Sequence, residues 1–249
     1  MPLRDHFHPP IENELPWTSL LASWAVRLAS RLNERWLPAD FVAVNAVKIG
    51  HEIESPLKSY DPPTVGAAPG APPGERPAWE VPAVRWTVPR TKGDHVEVHV
   101  RDEAQRWAGL AAVVVFVTPT NKEILQQRRA FLSRCVSHLH EGASLAVIDV
   151  VNSRGGCLFN DLLTLLGAEE APRLPAGERL FAAAFRPVSR GDRRKAIDPD
   201  ERLETDIWLE PVAVGEELPV LPLRLIYDQY APVELEATYR DVCRSHRLI

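Results

Sequence analysis

Sulfur is scarce in this 249-residue chain, which has one methionine and three cysteines. Cys135, Cys157 and Cys243 are odd in number and widely spaced, with no C-x-x-C pair. That pattern excludes a zinc knuckle, a redox dithiol and a disulfide framework, and it fits a reducing compartment. All three read as small buried apolar residues. Positive charge is also short: 29 Lys and Arg stand against 34 Asp and Glu, a net −5. A general nucleic-acid binder needs a dominant basic face, so that class is disfavoured. No apolar run approaches the ~18 residues that span a bilayer, and the amino terminus (Arg4, Asp5, His6, His8, Pro9, Pro10) lacks an apolar signal core. The expectation is a cytoplasmic protein with no membrane contact. No serine sits in G-x-S-x-G and no Gly-rich phosphate loop exists, which removes hydrolase-elbow and Walker-type sites.

What the chain does have is an ordinary apolar content, 45%, with 25% charged residues. A sizeable core can therefore form, and one domain over 1–249 is expected. Proline is abundant, 23 residues, and is concentrated between Pro56 and Pro89 among Gly66, Gly70 and Gly74. Such a stretch lacks backbone donors and disfavours both helix and ladder, so 55–90 reads as a long loop, most mobile over 65–76. Around it the chain divides into an arm (1–16), a first helix and strand (17–54), a core of sheet and helices (91–167) and a carboxyl-terminal extension (168–249).

Periodicity supplies the elements. Trp17, Leu20, Leu21, Trp24, Leu28, Leu32 and Trp36 recur every three or four residues and predict an amphipathic helix stopped by Pro38. Phe41 to Glu54 is β-rich. His95 to Asp102 alternates strictly, with His95, Glu97, His99 and Arg101 opposite Val96, Val98 and Val100. Leu110 to Val117 is uninterruptedly apolar, as a central strand covered on both faces would be, and is expected to form a hairpin with the preceding strand. A helix capped by Asn121 follows, carrying Leu125, Phe131, Leu132, Cys135, Val136 and Leu139 and ending at Gly142. Ser144 to Val151 reads as a buried strand, and Leu158 to Leu166 as a short helix. Strands at Arg179–Val188 and Glu204–Val212, an extended Pro-rich stretch and a helix over Val233–His246 complete the chain.

The order helix, strand, strand, strand, helix, strand from Trp17 to Val151 resembles the core of the restriction-endonuclease-like PD-(D/E)xK superfamily. The sequence Val113-Val114-Val115-Phe116-Val117-Thr118-Pro119-Thr120-Asn121-Lys122, then Arg128-Arg129-Ala130-Phe131-Leu132, then Ala146-Val147-Ile148-Asp149-Val150 is similar to a bacterial family, domain of unknown function 4058, itself akin to the Uma-type nuclease-like proteins. The resemblance implies an α/β fold, a mixed sheet flanked by helices, with a carboxyl-terminal strand and helix extension. It also implies a Mg²⁺-dependent phosphodiester-cleaving site, in which carboxylates hold the ion and a lysine supports the attacking oxygen. The sequence departs from that pattern at its centre. Val115 stands where the family carries a glutamate and Val117 where it carries a lysine, and nothing ionisable lies between Leu110 and Val117. A catalytically degenerate domain acting as a binding or assembly module, with a protein partner or a second copy, is the leading expectation. In the alternative, a nuclease, Glu52, Glu54 and Glu97 hold Mg²⁺ and Glu54, Glu97 and Lys122 are catalytic.

Other candidates carry plainer readings beside the functional one. On a strand, His95, Glu97 and His99 are about 7 Å apart for neighbours two residues apart, so one ion takes two of them at most, and a solvated face is the simpler account. Thr118, Asn121 and Lys122 follow the apolar strand, where loops commonly form sites; otherwise Asn121 caps a helix and Lys122 is solvated. The loop Arg186 to Lys195 could bind phosphate or an acidic partner through Arg193 and Arg194, or be merely solvated. Asp149, in a buried strand, needs a partner. His138 and His140 point in different directions on a helix and read as surface positions. His6 and His8 belong to an ordered arm packing on the domain.

Overall fold

The computed structural model describes residues 1–45, 85–88, 99–101, 107–153, 155–188, 203–225 and 229–249. The amino-terminal arm leads through a one-turn helix α1 (Ile11–Glu14) into α2 (Trp17–Arg35), whose buried residues Trp17, Leu20, Trp24, Leu28 and Leu32 reproduce the three-and-four spacing of the sequence. Three short antiparallel strands follow in space: β1 (Phe41–Val42), β3 (His99–Arg101) and β4 (Trp107–Leu110), in the order β1-β3-β4. The hairpin expected between His95–Asp102 and Leu110–Val117 forms instead between β3 and β4, pairing Val100 with Gly109, while Ala112–Phe116 joins a second, larger sheet.

The larger sheet has five described strands: β2 (Arg85–Val88), β5 (Ala112–Phe116), β6 (Ser144–Asp149), β7 (Phe181–Val188) and β8 (Leu203–Pro211), in the order β2-β8-β7-β6-β5. Only β5 and β6 run parallel among them, with Val115 opposite Val147; the other pairs are antiparallel, so the sheet is mixed. The parallel pair is joined by α3 (Pro119–Glu123) and α4 (Leu125–His140), the crossover that parallel strands require. Between β6 and β7 lies α5 (Leu158–Leu165). The chain closes with a β9 (Val220–Arg224) and β10 (Tyr230–Glu234) ribbon and α6 (Leu235–Ser245).

Alternation along the strands divides the interior into two layers. Ala112, Ala146, Ile148, Ala182 and Ala184 face a core with Trp24, Leu28, Leu221, Val233 and Tyr239, contributed by α2, the β9–β10 ribbon and α6. Val113, Leu145, Val147, Phe181, Ala183 and Phe185 face α4 and α5 through Phe131, Leu139, Phe159 and Leu162. Small alanines on the first face leave room for Trp24, whose ring lies 4.9 Å from Phe116 and 5.1 Å from Tyr239 and whose indole N–H donates to Thr238 Oγ1 at 3.0 Å. Each large side chain so buried contributes roughly 2–3 kcal/mol of transfer free energy.

Three sequence expectations are corrected. The apolar run Leu110–Val117 is not one central strand: it divides at Ala111, and Ala112–Phe116 forms the edge of the five described strands. The layer under α4 and α5 buries Val113 and Val117 while the opposite layer buries Ala112 and partly covers Val114 and Phe116, which is why its composition imitates that of a central strand. The helix after it starts at Pro119, with Thr118 at its N-cap, and breaks at Ile124 before α4. His138 is buried, not superficial, because the five consecutive residues Cys135 to Leu139 are all covered at the end of α4. The loop 55–90 is described only at Arg85–Val88.

Candidate functional site at the carboxyl ends of the parallel strands

β5 and β6 end side by side, and the residues that follow them converge. After β5, Thr118 and Asn121 bond to each other: Asn121 Oδ1 accepts from the Thr118 backbone N–H at 2.9 Å and from its hydroxyl at 2.8 Å. Pro119 fits the first helical position, where its missing N–H costs nothing. This local closure turns the next residue, Lys122, inward.

Lys122 ends in a sealed pocket. Its ammonium lies 2.8 Å from Asp149 Oδ2 at the end of β6, and neither side chain has any exposed surface. It donates to the Val151 carbonyl at 2.7 Å and reaches the Arg179 carbonyl at 3.4 Å, while Asp149 Oδ1 accepts the Val151 N–H at 3.1 Å. The ammonium thus has two carbonyl acceptors and an ion-pair partner, which together compensate a buried charge. Burial pushes the Asp149 carboxyl up to about 6, although Lys122 pulls it down.

An outer ring surrounds this pair. Arg128, on α4, bonds Asp161 on α5, Nε to Oδ2 at 2.6 Å. Its guanidinium lies against Gly156, where an added Cβ would meet Nη1 at 2.7 Å and displace the flexible end of Arg128; it is the φ of +91° that requires glycine there. From the arm, Asp5 accepts from His8 Nδ1 at 2.8 Å and from Asn152. Burial alone would raise the Asp5 carboxyl, but its bonds to Asn152, the Phe7 N–H and His8 hold it below the usual value. Cys157 precedes α5, and its thiol is raised by burial despite N–H groups of Asn160 and Phe159, so it is protonated at neutral pH. Ile124 and Leu125, beside this ring at the α3–α4 break, are exposed.

Of the residues the sequence nominated, Thr118, Asn121 and Lys122 come together here. Glu52, Glu54, Glu97, Arg193 and Arg194 lie outside the described residues, as do Glu97's neighbour His95 and most of the basic loop. The described residues do not fit Mg²⁺: at Asp149 an ammonium occupies the place a divalent ion would need, and no three His, Cys, Asp or Glu side chains cluster as ligands among them. What the sequence missed is the pairing of Lys122 with Asp149. The available signal was an acid in an apolar strand and a lysine in the loop after its parallel neighbour. Among the described residues, no helix is long and apolar enough to cross a membrane. Comparison of the chain with models of known families, with curated proteins and with solved structures finds no match.

Proposed function

We propose that the chain is a restriction-endonuclease-like domain, related to the domain of unknown function 4058 family, that has lost cleavage chemistry and serves as a binding or assembly module. The connectivity supports the fold in part: α2 and β1, then β2, which departs from it by pairing with β8 in the larger sheet, then β3 and β4 antiparallel beside β1, the continuation β5, the α3–α4 crossover, and β6 parallel to β5. The observation that carries the loss of chemistry is the fate of Lys122. A lysine that assists an attacking oxygen must reach substrate, and this one is paired with Asp149 and bonded to two carbonyls without exposed surface. Val115 and the fully buried Val117 hold the strand positions at which the family has its acid and lysine.

The full chain should show no Mg²⁺- or Mn²⁺-dependent cleavage of double- or single-stranded DNA above a no-protein control. Cleavage abolished by Glu54→Gln or Glu97→Gln, with folding intact, would establish the nuclease alternative. Protein partners or self-association are tested by sedimentation and chemical cross-linking of the purified chain.

A further inference from the structure

We propose that the amino-terminal segment Met1–His8 is an acid-released clasp, held on α6 by the neutral imidazole of His6 and freed when that imidazole takes a proton. His6 is 2% exposed, its ring tilted against Trp17 at 6.1 Å and edge-on to Tyr239 at 5.6 Å. Its Nε2 lies 2.6 Å from the Tyr239 hydroxyl, and its Nδ1 has no hydrogen-bond partner. The Tyr239 oxygen also accepts the Arg4 backbone N–H at 2.9 Å and bonds Cys243. Whichever ring nitrogen carries the hydrogen in the neutral form, the imidazolium carries one on both, and the one at Nδ1 is buried without an acceptor, which is a costly arrangement.

The charges around the ring do not relieve it. Arg4 on the arm opposes a second positive charge, and the Asp5 carboxylate is turned to Phe7, His8 and Asn152. From α6 the ring meets the Tyr239 hydroxyl, with Cys243 behind it, and from α2 the apolar ring of Trp17. Glu236 on α6 is engaged by the Met1 ammonium and the Leu218 N–H. Burial, reinforced by Arg4 against a smaller opposite pull from Asp5, brings His6 down to about 4. The arm's remaining ties are to loops, helices and the chain end and not to β6 or β7: Leu3, 2% exposed, exchanges backbone bonds with Gly215 and Glu216 at 2.8 and 2.7 Å, Phe7 packs on Trp17 at 4.9 Å, the Asp5 carboxylate meets Asn152, and the Arg4 guanidinium meets the Leu248 carbonyl. Release can therefore precede unfolding of the sheet.

The test is hydrogen exchange of the full chain at pH 7.5, 6.0, 5.0 and 4.5, corrected for intrinsic rates and read by mass spectrometry. Protection of the Leu3 and Arg4 amides, and of Gly215 that bonds Leu3, should fall roughly 50- to 100-fold between pH 7.5 and 4.5 by proton linkage, while β6 and β7 keep theirs. His6→Gln, whose amide can still donate to Tyr239, should abolish the fall. Flat arm protection in the wild type, or loss in step with the sheet, overturns the proposal, and neither result depends on the variant folding. An equal fall in His6→Gln assigns release to the carboxylates and overturns it as well.

Discussion

Lys122 and Asp149 illustrate how a buried pair is worth less than its breakage costs. Bringing both ions out of water offsets most of their attraction, so the pair adds little net stability, yet either charge left alone in that pocket is uncompensated. Lys122→Met should lower the unfolding free energy by about 3–5 kcal/mol in urea titration, and the double variant Lys122→Met with Asp149→Leu should recover most of that loss. The single variant has a second readout. Without its cation the Asp149 carboxyl loses the pull that opposes burial, so its titration, followed by carboxyl carbon NMR, should move above the wild-type value of about 6. A double variant no more stable than the single one would show that the pocket cannot be repacked.

At the scale of elements, caps and edges decide what the sequence could and could not announce. Ile124 occupies the N-cap of α4 with no side-chain hydrogen bond, is 48% exposed, and has Gln127 at the third helical position. Ile124→Ser should create a capping box with Gln127 and raise stability by about 1 kcal/mol, measured as a shifted urea midpoint at unchanged m. The end of β5 gives a graded companion: Val117→Asp, fully buried just beyond the strand, should lower Tm more than Val115→Asp, which is half-buried on an edge strand. The α2 stripe was legible because a helix has one buried face whose period the sequence must obey, and the bounds of Phe181–Val188 and Leu203–Pro211 fall within two residues of those read from composition. The edge position of β5 was not legible, since apolar content reports burial of faces and is silent about lateral neighbours. The β10 strand was missed because Pro232 lies within it, yet Pro232 pairs with Pro222 in a two-stranded ribbon where both missing donors can face away from the ladder. At the site, Lys122 and Asp149 are 27 positions apart, and only the parallel register of β5 on β6 reveals that their ends coincide.

For the whole molecule, two buried groups make opposed contributions to acid stability. His6 is brought down from 6.5 to about 4, so the unfolded chain binds its proton first; the stability it confers is complete above 6.5 and is lost as pH falls through 4. Asp149 is brought up from 3.8 to about 6, so the folded chain binds its proton first; its contribution is complete below 3.8 and is lost as pH rises through 6. Each displacement corresponds to about 3 kcal/mol across nearly the same window. The wild type should therefore have an almost level unfolding free energy between pH 6 and 4.5, because one loss offsets the other gain. Removing either group should tilt the curve in a direction fixed by sign: His6→Gln should gain stability relative to wild type as pH falls through this window, and Asp149→Asn should lose it. Urea unfolding of the three proteins at pH 6.5, 5.5 and 4.5 reads the slopes directly. A wild-type curve that falls steeply by itself, with both variants parallel to it, would mean that neither group is buried as the fold places it.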